Sequence, residues 1–172
     1  MAPRPASDDI SRAPVDRTAR AWLADAAESW LAGRITNDEL YVADVPRSAD
    51  PAVAAVRGAL WLTWDDMREH RCNCDPDTRA DIARWILFLR SDRPYAWPRD
   101  RVPGADPAGR ISRFARLRRA LFLEDWPLTA DEAAAILGGR DYAAWPFTSA
   151  AEARRAAEGA AETASQQPDS GA

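Results

Sequence analysis

Residues 85–98 read Trp85-Ile86-Leu87-Phe88-Leu89-Arg90-Ser91-Asp92-Arg93-Pro94-Tyr95-Ala96-Trp97-Pro98. The first five side chains are all large and apolar, so a helix over them has no polar side. We therefore expect this segment to be the central, most buried element of the protein. Its helix is predicted to begin at Asp75-Pro76, a carboxylate N-cap followed by proline at the first helical position, and to run to about Arg90.

Two further helices are predicted on the N-terminal side of this segment. The first runs from about Arg17 to Leu31, where apolar residues recur at helical spacing, and Gly33 supplies a left-handed stop. The second begins at Asp50-Pro51 and is predicted to continue to about His70. Its apolar stripe consists of Val53, Val56, Leu60, Trp64 and Met67, and Trp61 broadens it.

Two stretches of capping-box form predict short helices. Thr36-Asn37-Asp38-Glu39 precedes Leu40 and Tyr41, and both of these side chains are expected to pack against the core. Thr129-Ala130-Asp131-Glu132 is expected to open a second short helix that ends at Gly138-Gly139.

The pattern as a whole predicts an all-α fold, a compact bundle of about four main helices plus short ones, the fourth main helix running from about Ala108 to Phe122. No segment alternates branched or aromatic with polar residues over five or more positions, so strands are not expected. A single helical domain is predicted over residues 17–149, between a disordered tail (1–16) and a mobile Ala/Glu-rich tail (150–172) that lacks apolar anchors for docking. The predicted core centres on Trp61, Trp64, Trp85, Ile86, Phe88 and Leu89.

Composition excludes several classes of protein. The net charge of -4 argues against a strongly basic protein that coats nucleic acid. No apolar run approaches the length of about 18 residues that a membrane span needs, and the first residues do not resemble a signal peptide. Because Cys72 and Cys74 are too close in sequence for an unstrained disulfide, we expect free thiols and a cytoplasmic location.

Four potential metal ligands, His70, Cys72, Cys74 and Asp75, fall within six residues. Zinc prefers thiolate and imidazole, but the gap between these thiols is shorter than in most structural zinc sites, and the chain has no other Cys or His. The alternative is an interhelical loop in which Asp75 caps a helix and His70 lies near a helix C-terminus. A metal-binding protein or metal-dependent enzyme is therefore kept as an alternative, and no cofactor is expected.

An acid–base pair is also conceivable, since Asp66 and His70 lie four residues apart on the second predicted helix and can hydrogen-bond. Nucleophilic catalysis also needs a Ser or Cys presented to that histidine and a site for developing negative charge. No such arrangement and no Gly-rich phosphate loop is recognisable, so no catalytic residue is assigned and catalysis is not favoured.

An arginine row on the predicted fourth helix could bind phosphates or an acidic partner. No aromatic residue interleaves with it as in single-strand binders, and the alternative is an exposed helix face whose arginines pair with nearby carboxylates. Nucleic-acid binding is kept as a second alternative, and its candidate residues are Arg110, Arg113, Arg116 and Arg119.

A wider pattern combines Trp61, Asp65-Asp66 and His70 with two later runs, Phe88-Leu89-Arg90-Ser91-Asp92 and Tyr95-Ala96-Trp97-Pro98. It resembles a recurring set of small helical bacterial proteins that has no assigned activity. The resemblance covers about residues 50–98, implies a bacterial helical domain and transfers no functional residues.

The preferred interpretation is a small cytoplasmic protein-interaction or regulatory module without catalytic activity of its own. A loop fixed on a buried helix is a common place for recognition residues, and Arg, Tyr and Trp dominate interface energetics. In the structural alternative, Arg90 and Asp92 satisfy the helix end while Tyr95 and Trp97 close the core. The residues predicted to bind a protein partner of unknown identity are Arg90, Asp92, Arg93, Tyr95, Trp97, Asp66 and His70.

Overall fold

The computed structural model describes residues 14–42, 46–64, 67–97 and 138–166. Within these ranges the chain is helical, without strands beyond one isolated bridge between Thr36 and Arg71, which confirms the all-α prediction. The helices are α1 (Arg17–Leu31), α2 (Asn37–Val42), α3 (Pro51–Trp61), α4 (Pro76–Leu89) and α5 (Ala150–Gln166), with a short 3-10 helix at Tyr142–Ala144.

Local end signals fix α1 and α4 as the sequence predicts. Side chains of Asp16 and Asp75 accept hydrogen bonds from the first free N–H groups of these helices, and Asp50 does the same for α3. Gly33 follows α1 with a φ of 68°, the left-handed conformation expected of a helix stop. Arg90 is the C-cap of α4.

The capping box at α2 forms in full. The N–H of Thr36 donates to the Glu39 carboxylate at 2.7 Å, and the N–H of Glu39 donates to the Thr36 hydroxyl at 3.2 Å. Leu40 is buried, but Tyr41 is exposed, so the expected packing of Tyr41 against the core is wrong. Successive helical residues point about 100° apart, and so short a helix offers the core only one of the two.

The helix predicted to reach His70 ends at Trp61 instead. The N–H of Thr63 donates to the carbonyl of Leu60 at 2.9 Å, and its hydroxyl donates to the same carbonyl at 2.6 Å. Such short-range bonds tighten and close the last turn. Met67 therefore lies beyond the helix, and both it and Trp61, the last residue of α3, are exposed although they were expected on the buried stripe.

The core is organised around α4, and the run Trp85–Leu89 is its centre as predicted, with only Leu87 partly buried. Phe88 packs edge-on against Phe147 with ring centroids 5.1 Å apart, and Trp85 packs in the same way against Trp145 at 5.4 Å. Trp64 is partly buried and lies edge-on to Trp30 at 5.4 Å.

The C-terminal segment, expected not to dock, forms α5, and the expectation is wrong for its first turns, which contact the core; residues 167–172 lie outside the described residues. Arg93 donates to the Glu152 carboxylate at 2.6 Å, and the small side chains of Ala153 and Ala156 pack against the core. An ion pair and close approach through alanine therefore hold the first two turns without large apolar anchors. Residues 157–162 are exposed.

Several predictions lie outside the described residues. They are the N-terminal tail over residues 1–13, the helix over 108–122 and most of the helix predicted to end at Gly138-Gly139.

Candidate functional site

The exposed large apolar side chains of the described ranges belong to α2, to the end of α3 and to the segment that follows α3. A contiguous apolar patch on a protein surface commonly marks a contact with another molecule. The exposed fractions are 60% for Tyr41, 73% for Val42, 49% for Trp61, 51% for Leu62 and 84% for Met67.

A cavity of about 390 Å³ opens beside this patch, between α1, α2 and α3, and we call it the α2–α3 groove. Its buried lining comes from leucines of three helices, and its exposed lining includes Tyr41 and Trp61. The volume lies within the range of about 300–1,000 Å³ typical of ligand clefts. The leucines are Leu23, Leu40 and Leu60.

Two small residues create the concavity. Ala54 and Gly58 are four residues apart on α3 and both line the groove, and Trp61 follows one turn later. A Cβ atom placed on Gly58 meets no other atom within 4 Å. The groove is therefore open space next to an indole, made by the absence of a side chain at position 58.

The groove carries charge at its edge. Arg57 lines it, and Asp38 lies on α2 one turn before Tyr41; both are exposed. Among the described residues, neither takes part in a salt bridge. One free cation and one free anion thus lie beside the exposed apolar patch.

The charged residues of the predicted docking loop are already engaged within the protein. Arg90 lies 2.5 Å from the Asp25 carboxylate and 3.1 Å from that of Glu28. Asp92 pairs with Arg17 at 2.7 Å. With Arg93 bound to Glu152, this loop ties α4 to α1 and α5 rather than presenting free charges.

The aromatic residues of that loop are core residues. Tyr95 and Trp97 are only 3% and 4% exposed, so neither is available to a partner. The indole N–H of Trp145 donates to the Tyr95 hydroxyl at 3.2 Å, and the indole N–H of Trp97 donates to the carbonyl of Pro146 at 3.0 Å. Burial raises the pKa of Tyr95 to about 12.

His70 lies in the non-helical segment between α3 and α4, not at a helix end. Its N–H donates to the Asn37 side-chain oxygen at 2.7 Å, and its carbonyl accepts the Asn37 N–H at 2.9 Å. This two-way contact fixes the segment beside the start of α2. The other member of the proposed acid–base pair, Asp66, lies outside the described residues, as do Arg110, Arg113, Arg116 and Arg119.

The candidate metal ligands do not converge. Asp75 is occupied as the N-cap of α4, and the Cys74 thiol donates to the carbonyl of Thr63 at 3.8 Å. Burial raises the pKa of Cys74 to about 12, and the adjacent Cys72 thiol adds to the rise, whereas a ligating thiol must lose its proton. In the part of the chain that the structure describes, no three His, Cys, Asp or Glu side chains are placed to hold a metal.

Comparison with known proteins gives no match to a family model, to a curated protein or to a solved structure. None of the described helices has the length and apolar character needed to cross a membrane. The fold and its groove are therefore the basis for assigning a function.

The sequence does contain a signal for the groove. Tyr41-Val42 and Trp61-Leu62 are pairs of adjacent large apolar residues on short or ending helices. Neighbouring helical side chains diverge by about 100°, so a helix that packs on one side only, unlike the central α4, leaves at least one member of such a pair outside the core. Together with the small residues at positions 54 and 58, these pairs indicate an exposed apolar surface.

Proposed function

We propose that the protein is a small interaction module that binds an amphipathic helix of another polypeptide in the α2–α3 groove. The observation that carries this proposal is an apolar cavity lined by buried leucines and by two exposed aromatic side chains, Tyr41 and Trp61. Helix-in-groove recognition uses this geometry, with anchors spaced three or four residues apart on the bound helix. We place this role in the bacterial cytoplasm, where the free thiols of Cys72 and Cys74 persist.

The residue types at the groove suit a binding hot spot. Tyr, Trp and Arg are enriched among the few residues that dominate binding energy, and Tyr41, Trp61 and Arg57 represent all three. Burying one large apolar anchor of a partner contributes about 1.5–3 kcal/mol. Several such contacts are needed, because association also costs translational and side-chain freedom.

Charge defines the partner further. Arg57 at the groove favours a bound helix that carries a carboxylate near its apolar anchors, because unlike charges steer and orient docking. Among the residues that the structure describes, the ionisable side chains lining the groove are Arg57 and Tyr41. This lining offers no acid–base or nucleophile–base pair, which supports a binding role rather than catalysis at this site.

Peptide binding tests the proposal. The probes are fluorescent helical peptides of about 15 residues with two large apolar anchors four positions apart, in acidic, neutral and basic versions. We expect the acidic version to bind most tightly in anisotropy titrations. Gly58→Trp fills the groove and should weaken binding at least about tenfold, equal to about 1.4 kcal/mol. Gly58→Ala is the matched control, because it adds only a methyl group in open space.

Two results contradict the proposal. One is equal binding by wild type and Gly58→Trp, provided that circular dichroism shows both to be folded. The other is the failure of every peptide to bind, measured on both wild-type protein and the Asp38→Arg variant described below.

A further inference from the structure

The exposed face of α2 displays the chemistry that the groove is proposed to bind. Asp38, Tyr41 and Val42 have the i, i+3, i+4 spacing that places side chains on one face of a helix. All three are exposed, and together they offer a carboxylate and two large apolar groups. A bound helix that matches the groove needs this same combination.

The described residues offer no second face of this kind. The exposed residues of α5 are Ala, Arg, Glu, Gly and Ser, without a large apolar side chain. Large exposed apolar residues occur, in the part described, only at Tyr41, Val42, Trp61, Leu62 and Met67. The groove and the exposed face of α2 thus lie on the same surface of the protein. A two-fold symmetric contact requires this, because each copy uses the same surface.

The charges of Asp38 and Arg57 are complementary in a two-fold symmetric contact. In a two-fold interface, if residue i of one copy contacts residue j of the other, then j of the first contacts i of the second. Asp38 of each copy can then pair with Arg57 of the other, giving two ion pairs that one copy alone does not form.

We propose that the groove's partner is a second copy of this chain, with α2 of each copy lying against the α2–α3 groove of the other. The inference rests on the proposed function of the groove and names its occupant. Tyr41, Val42, Trp61 and Leu62 become buried at the two-fold contact, and Asp38 and Arg57 form its charged edge.

Charge reversal with sedimentation equilibrium of the full chain tests this dimer. Wild-type protein should shift from monomer to dimer over loading concentrations from about 10 μM to about 500 μM. Asp38→Arg and Arg57→Asp each place like charges at both contacts, and each variant alone should be monomeric. Glu158→Arg and Arg155→Asp change the net charge equally on the exposed part of α5 and should dimerise like wild type.

Mixing gives the decisive result. When Asp38→Arg and Arg57→Asp are combined, both contacts join opposite charges, so a heterodimer should form from two monomeric variants. The double variant Asp38→Arg/Arg57→Asp should also recover self-association. Circular dichroism confirms that α2 survives the substitution at position 38.

Three outcomes overturn the dimer: wild type monomeric at every concentration, single variants that still dimerise, or monomeric variants that fail to associate when mixed. None of these decides the proposed function of the groove, which depends on the Gly58→Trp peptide result. If both inferences hold, the monomeric Asp38→Arg variant binds the acidic peptide without competition from its own partner copy.

Discussion

Arg20 and Asp50 form a bidentate ion pair in the protein interior, where each side chain is only 1% exposed. Nε and Nη2 of Arg20 lie 2.6 and 3.2 Å from the two carboxylate oxygens. The remaining nitrogen, Nη1, donates to the carbonyls of Ser91 and Arg93 at 3.0 and 2.8 Å. Asp50 also accepts the N–H of Asp16 at 3.0 Å, so one pair joins α1, the start of α3 and the loop after α4.

We call this buried ion pair and its hydrogen bonds the Arg20–Asp50 clamp. Removing its carboxylate should be the most damaging single change. Asp50→Ala leaves a buried guanidinium unpaired, and we expect a loss of about 3–5 kcal/mol in the free energy of unfolding. Arg20→Met should cost less, because Asp50 keeps backbone donors from Asp16 and Ala52. Urea unfolding measures both, and a loss below about 1 kcal/mol for Asp50→Ala contradicts the role of the clamp.

The loop after α4 should behave as core rather than as a docking surface. Tyr95→Phe removes the acceptor of the buried Trp145 N–H, so we expect a loss of about 1–3 kcal/mol in stability. Self-association and peptide binding, measured below the lowered melting temperature, should not change. The contrary result is that Tyr95→Phe loses peptide binding or self-association while its stability is unchanged. That result would identify this loop as the interface.

Alkaline pH should weaken the fold through the same residue. Burial raises the pKa of Tyr95 from 10.0 to about 12, so between these values the folded state holds a proton that the unfolded state loses. Stability is therefore full below pH 10 and falls as the pH rises, by about 1.4 kcal/mol at pH 11. Urea unfolding at pH 9 and pH 11 measures this loss of stability, and Tyr95→Phe should lack it. If the free energy of unfolding falls equally between the two pH values in both proteins, Tyr95 is not its source.

Acid should loosen α5. Burial by itself raises the pKa of Glu152, but hydrogen bonds from Thr148 and the charge of Arg93 hold it below its ordinary value. The stability from this carboxylate is therefore present above pH 4.5 and lost as the pH falls through the lowered pKa. The hydrogen-exchange protection factors of α5 amides should fall as the pH drops through this range in wild type and be low at all pH values in Glu152→Gln.

Local signals account for what the sequence predicts correctly. Aspartate caps followed by proline, an apolar run without a polar side and a capping box each act within one helix. They give the start of α3, the bounds of α4 and the position of α2. Such features depend on chemistry between neighbours in the chain, so the sequence alone suffices.

The misplaced residues have two causes, contacts distant in sequence and a helix end that no stop residue marks. Tyr95 and Trp97 are buried because the segment around Pro146, about fifty positions later, supplies their partners. α3 ends at a 3-10 turn closed by Thr63, without the Gly or Pro that marks a stop. Trp61, the last residue of α3, follows the buried Leu60 and is exposed, so a residue expected at the centre of the core is a wall of the groove.

Indole N–H signals in a two-dimensional NMR spectrum test the groove most directly, with each signal assigned by Trp→Phe substitution. The Trp61 signal should shift saturably when acidic amphipathic peptide is added to Asp38→Arg protein, while the signal of buried Trp85 stays in place. In Gly58→Trp protein the Trp61 shift should disappear. Peptide-induced shifts that spare Trp61, or that persist with the groove filled, contradict the assignment of this groove as the docking site.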